Sequence, residues 1–183
     1  MGWSTPMVAF GRRDVRTPAF AEARAAAHRA GFIAVPRIVG GRAAALHAGS
    51  LVIDQYGSHD DPHPGWRERF ERHTSALVRA LATCEVDARV GEIAGEYCPG
   101  EFSVNARGAV KISGTAQRVT RRAWLVSSVV QVSDPEPLVA VLVDVYAALG
   151  LPFDPATFGS VRSEAAGVTP DEVRTAFEAA FSR

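Results

Sequence analysis

Cys98 is the side chain in this sequence best suited to nucleophilic chemistry. It sits in Gly95-Glu96-Tyr97-Cys98-Pro99-Gly100-Glu101-Phe102, between an aromatic residue and a Pro-Gly pair, which predicts a loop. A loop cysteine near cationic side chains can act as a thiolate nucleophile. Buried, the same residue would only fill a gap, and spacing alone does not choose between the two. Cys84, just after a helical stretch near Leu81, reads as filler. Lys111 lies in Val110-Lys111-Ile112-Ser113-Gly114-Thr115-Ala116-Gln117-Arg118. If Val110 and Ile112 face the core of a strand, Lys111 faces the other way, into a cleft. There an ammonium can stabilise charge on an acyl oxygen or hold a thiolate; otherwise Lys111 is a solvated strand lysine. Strict alternation puts Gln117 on the same face as Lys111, and Gly114 lets a ligand approach the backbone.

A third segment is Arg37-Ile38-Val39-Gly40-Gly41-Arg42-Ala43. Paired glycines permit close backbone approach, and Arg37 and Arg42 could hold a carboxylate or phosphate. No Gly-Lys-Ser/Thr follows, so this is not a phosphate-binding loop, and it is not a dinucleotide fingerprint. His47 is the histidine nearest this segment; His28 and His73 fall on predicted helices, and His59 and His63 in a polar loop. The two cysteines and five histidines match no structural zinc spacing, so neither a metal nor a cofactor is expected.

These residues need a scaffold, and the pattern predicts one of class α+β. Val8 to Phe10 reads as a strand leading to a turn at Gly11-Arg12-Arg13-Asp14. Thr17-Pro18 opens a helix, with Thr17 as cap, that Gly31 ends. A strand from Phe32 to Val39 is bent or placed at an edge by Pro36. Ser50 to Ile53 reads as a strand, and Ser58 to Gly65 as a loop. Trp66, Phe70, Leu77 and Leu81 recur at helical spacing. Phe102–Val104 and Val110–Gln117 read as strands around a turn at 105–108, and Arg122–Val132 as a third. Asp134-Pro135 opens a helix that Gly150 ends. Thr169 and Glu172 have capping-box spacing for a last helix with Val173, Phe177 and Phe181 on its apolar face. Helices and strands mix without regular βαβ alternation, which predicts a mixed or antiparallel sheet packed with helices. No domain boundary stands out. The reading is one domain over 1–183, with 151–183 as a terminal loop and docking helix.

The 183 residues are 47% hydrophobic and 22% charged, with 20 basic and 20 acidic side chains. That composition suits a globular domain and supplies no bulk charge to recruit nucleic acid or an anionic membrane. A local basic patch remains available from the segments 12–16 and 118–122. No apolar run is long enough for a transmembrane helix, and no signal-peptide pattern opens the chain. A cytoplasmic protein with two free thiols is therefore expected.

Taken together, the three segments resemble the catalytic domain shared by lipoate–protein ligases, biotin–protein ligases and octanoyl/lipoyl transferases. Arg37-Ile38-Val39-Gly40-Gly41 is similar to that family's Arg-x-x-Gly-Gly segment, with His47 one position late and Gly49 and Leu51 in place. Lys111 through Arg118 resembles its lysine motif, the most specific match in the chain. Phe10 through Asp14 also resembles the family's segment near the start of the acyl site. Tyr97 through Val104 resembles the cysteine-dependent octanoyltransferase branch, which implies that Cys98 is the nucleophile. The resemblance covers roughly residues 6–150.

It implies two half-reactions. Cys98 takes an octanoyl or lipoyl group from a carrier-protein thioester, with Lys111 stabilising the thiolate and the oxyanion. A lipoyl-domain lysine then attacks the acyl-cysteine. The partners implied are an acyl carrier protein and a lipoyl-domain protein; from charge alone, Arg12, Arg13, Arg118, Arg121 and Arg122 could steer an acidic carrier to the site. The implied ligand site is Arg37, Gly40, Gly41, Arg42, Ala43, His47, Gly114 and Gln117. An octanoyl tail has about six methylenes to bury, at most about 5 kcal/mol before ordering costs, so an apolar tunnel is expected. Two departures stand out. Relatives carry a strand and a helix ahead of this chain's start, so the domain is short at its N-terminus. Ser127-Ser128 stands where several relatives have His-Gly. Two alternatives stay open: an ATP-dependent lipoate–protein ligase and a non-catalytic protein that binds the carrier or lipoyl domain. Oligomeric state is not legible.

Overall fold

The structure is a computed structural model that describes residues 2–3, 5–59 and 65–182. Its elements in chain order are β1 (Gly2–Trp3), β2 (Met7–Phe10), α1 (Arg12–Val15), α2 (Phe20–Arg29), β3 (Ile33–Pro36), β4 (Ala44–Leu46), β5 (Ser50–Ser58), α3 (Trp66–Thr83), β6 (Ala88–Val90), β7 (Val104–Ala106), β8 (Val110–Val119), β9 (Ala123–Gln131), α4 (Pro135–Leu149), α5 (Val161–Glu164) and α6 (Pro170–Phe181), with a 3₁₀ turn at Pro155–Thr157 before α5. The expected α+β class, a mixed and largely antiparallel sheet packed with helices, is what forms. A six-stranded antiparallel sheet runs β1-β5-β9-β8-β7-β6, and a three-stranded sheet runs β3-β2-β4. In the small sheet β2 pairs parallel with β3 and antiparallel with β4. Pro36, which lacks an N–H for a ladder, ends edge strand β3.

Each sheet has its own apolar core. Leu77 and Leu81 of α3 and Val173 and Phe177 of α6 bury against Leu51, Ile53, Ile112 and Val130 of the large sheet. Ala23, Ala26 and Ala27 of α2 and Leu138, Val141, Leu142 and Val145 of α4 bury with Val8 and Phe10 of the small one. Alanines on α2 let α4 approach closely, the small-against-large pairing that dense packing needs. Tyr97 and Phe158 belong to the second core and stack with ring centroids 5.2 Å apart, so the cysteine loop is packed between the two sheets.

Several boundaries differ from the sequence pattern for identifiable reasons. The Gly11–Asp14 turn is a helical turn, α1, because the Asp14 carboxylate accepts from Gly11 N at 3.1 Å. Thr17 does not cap α2; its hydroxyl bonds Asp14 O at 2.8 Å and Ala19 takes the cap position. β5 continues five residues past Ile53 to Ser58 because β9 pairs along its whole length. Asn105 and Ala106 lie in β7, and the turn moves to Arg107 and Gly108, both at positive φ. Asn105 Oδ1 stabilises it by accepting from Gly108 N at 2.9 Å. The helix from Pro135 ends as expected at Gly150, at φ 65. The capping box at Thr169 and Glu172 forms. His63 lies outside the described residues.

Candidate active site

The site begins with a backbone constraint. Cys98 has φ 45, a left-handed conformation costly for a residue with a side chain. Its backbone is held on both sides. Cys98 N donates to Tyr146 Oη at 2.7 Å, and that hydroxyl donates to Ala43 O at 2.9 Å. Lys111 Nζ donates to Tyr97 O and Cys98 O, both at 2.8 Å. The sulfur is thereby fixed against the glycine segment, where it accepts from Arg42 N at 3.1 Å and from Arg37 Nη2 at 3.5 Å. Donors aimed at Sγ stabilise negative charge there, both before attack and when an acyl-cysteine breaks down.

Gly41 makes that approach possible. At φ 93, a Cβ on it would stand 2.2 Å from Arg37 Nη2 and 2.8 Å from Sγ. The opening segment packs against the same loop: a Cβ on Gly11 would meet Gly41 O at 1.8 Å. Asp14, fully buried, bonds Arg42 Nη1 at 3.0 Å, so the Gly11–Asp14 turn and the Gly40–Arg42 turn are one structural unit.

Lys111 is entirely buried. Its third proton goes to Glu96 Oε1 at 2.9 Å, an ion pair with both side chains out of solvent, and the ammonium sits 4.6 Å from the Tyr97 ring centroid. Glu96 also accepts from Ser103 Oγ and from Ile93 N. All three ammonium protons are therefore committed, to the loop bearing Cys98 rather than to Sγ. Alternation fails along β8. Val104 pairs with Ser113 but Asn105 with Lys111, a register shift of the β-bulge type. Ile112 packs against α3, and Gln117, expected beside Lys111, also turns to α3: its amide oxygen accepts from Arg69 at 3.1 Å and its nitrogen donates to Trp66 O.

A cavity of about 240 Å³ opens beside Sγ, with walls from Arg37, Gly40, Gly41, Ala44, Phe70, Tyr97, Lys111, Gly114, Gln117 and Val129. Phe70 stacks on Phe102 at 4.6 Å, tying α3 to the cysteine loop. A second cavity of about 710 Å³ meets Cys98 from the side of Arg42, Glu92–Glu96 and Leu151–Pro152. A third, about 520 Å³, lies between Arg12, Arg13 and Arg118 and shares Gly40 and Gly41 with the first. The two basic segments of the sequence thus come together in space.

Of the sequence-derived residues, Cys98, Lys111, Arg37, Gly40, Gly41, Gly114 and Gln117 line one cavity, and Arg42 the neighbouring one. Ala43 is buried beneath them as the acceptor for Tyr146. His47 stands apart, bonded to Gly49 N and Asp134 O at 2.9 Å each. Cys84 is buried, its thiol pushed up by burial and then by Glu172; both cysteines are free. Three residues that the sequence did not single out for a role matter here: Glu96, Tyr146 and Asp14. Glu96 carried a signal as the acidic residue two positions before Cys98, and Asp14 as the end of the Phe10–Asp14 segment; Tyr146 carried none.

A family model described as the lipoyl protein ligase A/B catalytic domain matches residues 2–182. The chain belongs to that family. Two curated relatives are both named octanoyl-[GcvH]:protein N-octanoyltransferase. That of Exiguobacterium sibiricum is 35% identical over 119 residues, covering 62% of this chain and 41% of the relative. That of Geobacillus kaustophilus is 29% identical over 114 residues, covering 62% and 40%. The chain thus spans about two-fifths of the relatives it matches. Among solved structures, a T. acidophilum protein described as a lipoate protein ligase with bound lipoic acid superposes with TM-score 0.75 at 25% identity, covering 98% of this chain and 69% of that one. A lipoate-protein ligase A bound with ATP gives TM-score 0.73 at 24% identity, covering 98% and 69%, and shares the fold.

No helix among the described residues is long and apolar enough to cross a membrane.

Proposed function

We propose that this chain forms a single catalytic unit that transfers an octanoyl or lipoyl group through a thioester on Cys98 to a lysine of a lipoyl-domain protein. The carrying observation is the Cys98 sulfur, positioned at positive φ beneath two N–H donors and open to a cavity with apolar walls. Ala44, Val129 and Phe70 supply surface for the acyl tail, the part of the substrate whose burial stabilises the complex. The thiolate attacks the acyl carbonyl, and Arg37 and the Arg42 N–H stabilise charge on sulfur. Lys111 supplies positive charge to the oxyanion, and using it requires exchanging one of its carbonyl partners for the substrate oxygen.

The names of the two curated relatives support octanoyl transfer and point to a GcvH-type carrier. An acyl carrier protein is the other donor considered. The arginines around the third cavity are suited to steer an acidic carrier surface. The ligase alternative has no use for Cys98, whose geometry is the most constrained feature of the site. The test is an acceptor assay: lipoyl domain, octanoyl-GcvH or octanoyl-carrier thioester, and no ATP. Octanoyl should reach the lipoyl-domain lysine with the native chain and not with Cys98→Ser. Transfer that needs ATP and survives Cys98→Ser would establish a ligase instead.

A further inference from the structure

We infer that the cavity of about 710 Å³ on the far side of Cys98 receives the flexible arm by which a carrier presents its acyl group, and afterwards the acceptor's lysine. The inference rests on the transferase reading of Cys98.

The two cavities that meet at the sulfur share Gly41, Cys98 and Pro99. A thioester or amide carbonyl has two substituents to accommodate, the acyl tail and the leaving group. With the carbonyl at Sγ they must diverge, so a site with one cavity would exclude one of them. The smaller cavity suits the tail, because Phe70, Ala44 and Val129 line it. The larger one combines apolar walls, Ile93, Leu151 and Pro152, with Arg13, Arg42 and Glu92 at its polar parts. A chain of methylenes interrupted by amides, or the methylenes of a lysine, fits that mixture. Arg13 also lines the arginine-rich cavity, so a carrier docked on Arg12, Arg13 and Arg118 would have the arm's entrance at its edge.

The chemistry balances across this division. Sγ donates its electron pair to the carbonyl carbon. The tetrahedral adduct collapses, and the bond to the donor's sulfur or nitrogen breaks. That atom leaves through the larger cavity with the proton Cys98 gave up. The acceptor amine then enters by the same route and forms the nitrogen–carbon bond. The carbon–Sγ bond breaks, and the amine proton passes to sulfur.

The experiment plugs the larger cavity from two walls, Ala94→Trp and Pro152→Trp. Ala94 and Pro152 are exposed and hold no side-chain bond. Cys98 acylation is followed by intact mass with two donors: S-methyl thiooctanoate, whose leaving group is one carbon, and octanoyl-loaded carrier protein. The expected result is labelling by the small thioester within about twofold of native, and labelling by the carrier reduced roughly tenfold or more. Unchanged carrier labelling in both variants overturns the inference, as does an equal loss with both donors in both variants. Failure of the loaded carrier to label native Cys98 overturns the transferase reading instead, and the arm site with it.

Discussion

Replacing Glu96 by Gln should cost far more stability than a single hydrogen bond. The Glu96 carboxylate and the Lys111 ammonium are 2.9 Å apart, and neither side chain reaches solvent. The two remaining ammonium contacts are neutral carbonyls, which cannot compensate a full charge. Glu96→Gln therefore leaves an unpaired buried cation, at a cost of about 3–5 kcal/mol. The carboxylate's other partners, Ser103 Oγ and Ile93 N, would also lose charge-assisted bonds. Removing both charges, as in Glu96→Gln with Lys111→Met, should recover most of the loss, because no ion remains to desolvate. Urea unfolding of the two single variants and the double variant closes the cycle. The same loop carries Cys98, so thiol alkylation of folded Glu96→Gln should slow as Lys111 releases the Tyr97 and Cys98 carbonyls. A Glu96→Gln cost below about 1 kcal/mol, or a double variant no more stable than the worse single one, would refute the reasoning.

Three further outcomes follow from the geometry. Tyr146→Phe removes the hydroxyl that bridges Cys98 N and Ala43 O; leaving both unpaired should cost about 1–3 kcal/mol in urea unfolding and slow Cys98 acylation. Gly41→Ala forces a Cβ into the Arg37 guanidinium and Sγ at positive φ; acyl-Cys98 formation should fall roughly a hundredfold, read by mass, with the fold retained by circular dichroism. His73 is buried between Gln55 and Ser128, and burial holds its pKa near 4 against an ordinary 6.5. Between those values the unfolded chain binds a proton that the folded chain refuses. Stability should therefore fall by about 3 kcal/mol as pH drops from above 6.5 to about 4 and then level off. The urea midpoint measured from pH 8 to 4 checks this, and the trend should vanish in His73→Asn.

The chain's motifs located the site because each marks a local backbone demand. Gly40-Gly41 had to allow close approach, and Gly150 and Thr169 had to terminate or start helices; such demands are written in residue types next to one another. Partners distant in sequence were not legible. Nothing near Tyr146 says that its hydroxyl holds a cysteine loop from another part of the chain. Glu96 was two residues from Cys98 yet its partner Lys111 depends on how β8 crosses beneath the loop. The register shift opposite Val104 is the clearest case. A period-two reading assigned Gln117 to the face of Lys111, and one bulge moved it to α3. His47 was drawn in by proximity to the glycines, but its ring is consumed by Gly49 and Asp134. The two arginine segments at 12–16 and 118–122 were legible together as a possible basic patch, and the structure places Arg12, Arg13 and Arg118 around one cavity.

The most direct measurement is the intact mass of the native chain after mixing with octanoyl-loaded carrier in the absence of ATP. The account predicts an octanoyl adduct that maps to Cys98, is absent from Cys98→Ser, and disappears when lipoyl domain is added as the acceptor gains the group. A native chain that stays unmodified while the carrier keeps its load would contradict it.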